Sequence, residues 1–190
     1  YHRNMYLNIY NKISLIGWSI TFVVALLHII GYQISLDPFF CLKVIQTFAA
    51  LEILHAIFKI IYSSIFFTCI QAVSRLLYTW LLFAISKQYY SNEWIYLLLI
   101  IAWSLADFSR AFYYLRRNKI SGWMRYNFFF VLYPTGQLLE VIISLIILKE
   151  ATHPLKWLLA PLIISYFYLG TGNFRYMLRN RKKYYQKIQF

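Results

Sequence analysis

Charge is scarce in this chain: Asp, Glu, Lys and Arg make up 13% of 190 residues, and only 6 of them are acidic. A soluble domain of this length leaves much of its surface in water. A chain that is 61% hydrophobic and so poor in charge could not cover that surface, which excludes the soluble class. Cysteine is nearly absent, and Cys41 and Cys69 both lie in apolar stretches. Two cysteines so placed form neither a disulfide framework nor a zinc-site spacing, and both read as small core residues. Histidine is sparse and scattered, at His2, His28, His55 and His153, which excludes the clustered-histidine iron sites of membrane lipid oxidases. Glu52 and His55 have Glu-x-x-His spacing, but a carboxylate di-iron site needs a second copy on another helix and there is none. That pair reads as buried hydrogen bonding between helices. With 6 glycines, the chain has no Gly-rich nucleotide loop, and it has no nucleophile elbow or Ser-His-Asp order.

What the chain does have is long apolar runs. They extend over about 13–30, 39–61, 65–85, 94–115, 123–148 and 155–168, the last continuing towards Leu178. Continuous runs rather than ten-residue alternation exclude a β-barrel. The expectation is an all-α polytopic membrane protein, six transmembrane helices in one bundle, forming a single domain over 1–190. Breaks fall at Gly31 and Asp37-Pro38, at Ser63-Ser64, at 87–92, at 116–122 and at 149–154. Pro161 and Gly170-Thr171-Gly172 make the last helix the least regular. The chain begins at Tyr1 rather than Met, which leaves room for a further N-terminal segment.

The net charge of +13 is not a nucleic-acid patch. Basic residues gather in the gap Arg116-Arg117-Asn118-Lys119 and in the tail Arg179 to Lys183, whereas 31–38 has no Lys or Arg. With six spans both basic clusters and both termini share one side, which the positive-inside rule makes cytosolic. Attraction for anionic lipid or an anionic substrate is a secondary reading.

Polar groups inside the runs carry the candidate chemistry. The fifth run holds Tyr133, Gly136 and Glu140 on one helical face, since seven residues make nearly two turns. A carboxylate in hydrocarbon costs at least ~2.5–3.5 kcal/mol on insertion scales, so Glu140 is a functional candidate by default. Pro134 is expected to bend the helix, and Gly136 to leave a notch open to a ligand. A phenol and a carboxyl flanking a notch form a candidate acid–base pair; the competing reading is a polar bond that only holds the bundle together. Asp107 and Arg110 are spaced to pair on one helix, Arg75 lies in the third run, and Arg125 opens the fifth. The arginines could meet a phosphate-bearing substrate, or serve only as anchors and neutralised pairs. Cys69 to Arg75 has the Cys-x5-Arg spacing of tyrosine phosphatases, but without glycine and inside an apolar helical run the match is accidental.

Taken in order, the motifs resemble one family along most of the chain. Tyr6-Leu7, Tyr10-Asn11 and Gly17-Trp18 come first, then Gln46-Thr47 with Leu51 to His55. Ser63, Thr68, Gln71, Ser74-Arg75 and Trp80 follow, then Trp103-Ser104, Asp107, Arg110 and Phe112-Tyr113. Arg125-Tyr126, Leu132-Tyr133-Pro134, Gly136 and Glu140 complete the set. This order is similar to the very-long-chain 3-hydroxyacyl-CoA dehydratases, also known as protein-tyrosine-phosphatase-like membrane proteins. Asp107 stands where that family usually has Glu, and 171–177 lacks its Phe-Pro and Tyr-x-His elements.

The resemblance implies dehydration of a (3R)-3-hydroxyacyl-CoA to a trans-2-enoyl-CoA in fatty-acid elongation at the endoplasmic reticulum membrane. It implies Tyr133 and Glu140 as the catalytic pair, with Gly136, Arg125, Arg110, Arg75 and Tyr126 binding substrate. One of the pair takes a C2 proton while the other protonates the departing hydroxyl. Glu140 as acid and Tyr133 as base is the first assignment, and the reverse stays open. No metal or redox cofactor is required. Expected partners are the long-chain acyl-CoA, membrane lipid and other elongation enzymes, but no nucleic acid. The alternative is a non-catalytic acyl-CoA-binding or scaffold protein of the same fold.

Overall fold

The structure, a computed structural model, describes residues 2–32, 34–61, 64–85, 93–150, 163, 170–172 and 174–186. Helix α1 runs from His2 to Ile29, so it begins well before the apolar run that starts near Ile13. Polar residues such as Asn8 and Asn11 lower the hydropathy of that first stretch without interrupting backbone hydrogen bonding. At its end Tyr32 donates its backbone N–H to Leu27 (2.9 Å) and Gly31 to His28 (3.2 Å). Gly31 takes φ 84° there, the left-handed turn that closes a helix in this pattern.

Asp37 caps α2 (Pro38–Ala49), its carboxylate accepting from the backbone N–H of Phe39 and Phe40, with Pro38 in the first turn where no donor is needed. A break at Ala50 separates α2 from α3 (Leu51–Ile57) within the second apolar run. Helix α4 (Ile65–Leu77) passes into a π turn over Tyr78–Leu82 and then continues helically to 85. Helix α5 is Trp94–Leu115. Asn118 caps α6 (Lys119–Glu150), exchanging hydrogen bonds with Ser121: Ser121 N–H to Asn118 Oδ1 (2.8 Å) and Asn118 N–H to Ser121 Oγ (3.2 Å). Pro134 stands inside α6 without ending it. Residues 174–186, helix α7, carry the basic tail.

Five stretches among the described residues are long and apolar enough to cross a membrane: Met5–Ile29, Pro38–Ile57, Thr68–Ile85, Trp94–Leu115 and Lys119–Lys149. The fold is all-α and polytopic. The sixth run, 155–168, lies almost wholly outside the described residues, as do His153 and Pro161. Helix α5 is the axis of the bundle: 56% of its membrane window is buried, against 28–33% for the other four. It packs between α1 and α6. Tyr96, Leu99, Ile100 and Trp103 of α5 join Trp18, Leu42, Tyr78, Leu82 and Ile143 in one apolar core. Ile16, Phe66, Val131 and Leu138 point outward, as lipid-facing side chains do.

The two ends of the bundle can be told apart. At one end α1 starts against α3, where Tyr6 Oη bonds His55 Nε2 (2.7 Å), and α5 finishes, α6 begins and α7 lies alongside. At the other, Phe39, Phe83 and Tyr96 stack edge to face as α2 begins and α4 and α5 meet. Tyr184 of α7 lies beside Gly122 at the start of α6. The basic stretch 116–119, the tail and the start of α1 therefore share one end.

Candidate active site

Glu140 is buried near the middle of the bundle, with 6% of its surface exposed. Its Oε1 accepts from Nε1 of Trp103 on α5 at 2.8 Å, and Trp103 is itself only 3% exposed. Below the carboxyl, Tyr78 Oη donates to the Glu140 backbone carbonyl (3.1 Å) and bonds Ser144 Oγ (2.6 Å). Tyr78 is the first residue of the π turn. A π turn accommodates an extra residue and shifts the helical face, and such turns recur at functional sites. Here it goes with a phenol directed from α4 onto α6.

Tyr133 lies about two turns before Glu140 and is half-buried. Its Oη donates to the Gly170 carbonyl at 3.2 Å, and its ring is 5.9 Å from Phe174. The stripe expected from spacing therefore straddles a seam: Gly136 and Glu140 lean on α5, while Tyr133 leans on the chain around 170–174. Gly136 faces Trp103, and a Cβ built there would meet the indole at 3.7 Å, an ordinary contact. The notch is thus bordered by a tryptophan rather than open on that side. Gly170 is packed hard, since a Cβ there would come within 2.1 Å of Gln137 Nε2.

The arginines divide between two places. Arg75 forms an ion pair with Asp107, and Arg110 with both Glu52 and Asp107 (3.0 Å). Two cations and two carboxylates from three spans thus neutralise one another inside the bundle. Tyr10 Oη adds a bond to Glu52 (3.3 Å), and a polar cavity of about 50 Å³ beside the network is lined by Gln46, Thr68 and Gln71 as well. Sequence spacing foresaw the Asp107–Arg110 pair but not Glu52 as its third member. Glu52 and His55 turn to different partners, Arg110 and Tyr6. Among the described residues no three His, Cys, Asp or Glu are grouped to hold a metal ion.

Arg125 sits apart, about 12 Å along α6 from Tyr133. Its guanidinium lies 4.9, 4.5 and 5.6 Å from the rings of Tyr113, Tyr114 and Tyr126, and Nη2 bonds Tyr114 Oη at 3.1 Å. Among the described residues its Nε and Nη1 have no hydrogen-bond partner. Tyr126 stacks on Tyr184 of α7 at 4.4 Å. Next to this aromatic cluster, Lys119, Ile120, Trp123, Tyr184 and Tyr185 line an apolar cavity of about 370 Å³.

Trp103, Tyr78 and Gly170 escaped the sequence reading as site residues. Trp103 lay within a motif, but nothing in one sequence says that it meets Glu140. The Cys69–Arg75 spacing also resolves: both residues lie in the continuous helix α4, whose amides bond along the helix and cannot converge on a phosphate.

Known proteins bear on this arrangement. No solved structure matches the chain. Very-long-chain (3R)-3-hydroxyacyl-CoA dehydratase 2 of Mus musculus is 31% identical over 207 aligned positions, covering 94% of this chain and 80% of its own. A probable very-long-chain (3R)-3-hydroxyacyl-CoA dehydratase of Schizosaccharomyces pombe is 35% identical over 147 positions, 73% of this chain and 71% of its own. Very-long-chain (3R)-3-hydroxyacyl-CoA dehydratase hpo-8 of Caenorhabditis elegans is 31% identical, covering 94% of this chain and 93% of its own. The family model described as protein tyrosine phosphatase-like protein, PTPLA, matches residues 46–187, which take in the α5–α6 seam, the ion-pair network and the basic tail. The chain belongs to that family.

Proposed function

We propose that this chain is a hydro-lyase that converts a very-long-chain (3R)-3-hydroxyacyl-CoA to the trans-2-enoyl-CoA, with Tyr133 and Glu140 as its catalytic pair. The observation that supports it best is a phenol and a buried carboxyl on one face of α6, at a seam within the membrane span, in a family whose relatives bear dehydratase names. Elimination breaks a C2–H bond and the C3–O bond, forms the C2–C3 double bond and releases water. One group must accept the C2 proton while another delivers a proton to the leaving hydroxyl.

An indole N–H can only donate, so Glu140 receives at Oε1, whereas Tyr133 holds its proton against the Gly170 carbonyl. The bond at Oε1 is open to either protonation state of Glu140, and the donating phenol at Tyr133 favours Glu140 as base and Tyr133 as acid. This is the reverse of the first assignment made from sequence. The apolar flanks of the seam would take the acyl chain.

The nucleotide end of the thioester would lie at the basic end, where Arg125 stands with the basic stretch 116–119 and the tail. Arg110 and Arg75, already paired with carboxylates, suit holding the bundle better than binding phosphate. We assign that basic end to the cytosol and the protein to the endoplasmic reticulum membrane. There it would act as one domain over 1–190 in fatty-acid elongation, beside the other elongation enzymes. Purified protein given a synthetic (3R)-3-hydroxyacyl-CoA should form the enoyl-CoA, followed by mass. Binding without turnover would instead establish a non-catalytic acyl-CoA carrier or scaffold.

A further inference from the structure

We infer that Trp103 is a positioning residue for Glu140, and that Arg75, held by Asp107, clamps Trp103 in turn. This rests on Glu140 acting in the dehydration. The geometry is a continuous chain of contacts from α4 through α5 to α6. Asp107 fixes the Arg75 guanidinium, which lies 5.2 Å over the Trp103 ring. The Trp103 Nε1–H then reaches Glu140 Oε1 at 2.8 Å. Gly136 borders the Nε1–Cδ1 side of the same indole, Phe83 lies nearly parallel to it at 6.3 Å, and Tyr78 stands nearly perpendicular to it at 6.4 Å. The indole is therefore boxed on several sides and has one polar atom, which is spent on Glu140.

A carboxyl group has two near-equivalent oxygens and rotates about its last bond unless something holds it. A donor at Oε1 restricts that rotation and sets the direction in which the carboxyl meets substrate. A cation over the ring draws density from it and strengthens the N–H as a donor. Arg75 and Asp107 would thus reach the reaction without touching substrate, and their net neutrality keeps a bare charge away from the acyl chain.

The test separates positioning from packing. Trp103→Phe should lower kcat about 10- to 100-fold, the range of one hydrogen bond to a charged group, with KM changed less than about threefold. Trp103→His, which keeps a ring N–H, should recover part of that loss. In a Glu140→Asp background the shortened carboxyl no longer reaches the indole, so Trp103→Phe should then cost less than about threefold. Arg75→Gln should lower kcat more mildly, again without raising KM. An equal loss from Trp103→Phe in both backgrounds, or full kcat in the Phe variant, overturns the inference. A rise in KM alone for Arg75→Gln places Arg75 on the substrate and removes it from the clamp.

A readout free of turnover keeps the two readings apart. The Trp103 indole N–H resonance in detergent-solubilised protein should lie downfield and move upfield in Glu140→Asp. If it does so while the wild type turns nothing over, the dehydratase reading fails and the hydrogen bond stands. If the resonance ignores Glu140, positioning fails whatever the activity.

Discussion

Residue by residue, the seam separates what substrate would need from what the bundle needs. Tyr133→Phe removes one oxygen from a half-buried ring, and Glu140→Gln keeps the shape of the carboxyl. Each should abolish most turnover in folded protein, with the double variant little worse than either alone. Substantial turnover by either single variant would remove that residue from the chemistry. At Gly136 a methyl meets Trp103 at an ordinary contact distance, so Gly136→Ala should leave thermal stability within about 1 kcal/mol of wild type. Any rise in its KM then measures space lost to substrate. Arg125 lies about 12 Å from Tyr133, too far to touch the reacting carbons. Arg125→Ala should raise KM for the CoA thioester and spare a short analogue lacking the nucleotide; equal loss of kcat for both would place Arg125 in support of Tyr133. The stripe from Tyr133 to Glu140 was legible because helical spacing is fixed by the backbone. Trp103 was not, because which face of α5 meets α6 depends on packing that no single-helix period records.

At the scale of elements, hydropathy located five membrane-length helices to within a few residues at most boundaries, since burial in lipid demands a continuous apolar run. It missed features that leave hydropathy unchanged: the break at Ala50, the π turn at 78–82 and the early start of α1. The pairing of α6 with α7 was equally hidden. A Cβ at Gly122 would lie 1.7 Å from Tyr184 Oη, and Asn127 bonds Tyr185 Oη at 2.8 Å and Arg181 Nη2 at 3.1 Å. Gly122→Leu should therefore pry α7 off α6 and lower the unfolding temperature in detergent. Adding Tyr184→Ala to that variant should restore part of the loss, because it removes the clashing ring. A Leu variant as stable as wild type would show that the two helices do not depend on this contact.

For the whole molecule, the positive-inside reading and the geometry agree on which segments share an end. A cysteine placed at Asn118 and one at Tyr32 should label from opposite sides of sealed microsomes, and one at Arg179 from the side of Asn118; labelling of Asn118 and Tyr32 from one side would refute the topology. The ion-pair network has a wider reach than the site beside it. Asp107→Ala strips Arg75 of its carboxylate and leaves Arg110 to Glu52 alone. Breaking a buried pair in this way costs about 3–5 kcal/mol, so the variant should accumulate poorly and melt early. The same arithmetic constrains the order of events on the ribosome. Glu52 and Arg75 are synthesised on separate early helices, and each finds its ion-pair partner only on α5, which emerges later. Until then each is a charge in hydrocarbon without its counter-ion, at roughly 2.5–3.5 kcal/mol apiece. Nascent chains halted before Trp94 should thus wait at the insertion machinery or be degraded, and the bundle commits to the membrane only when its central helix arrives.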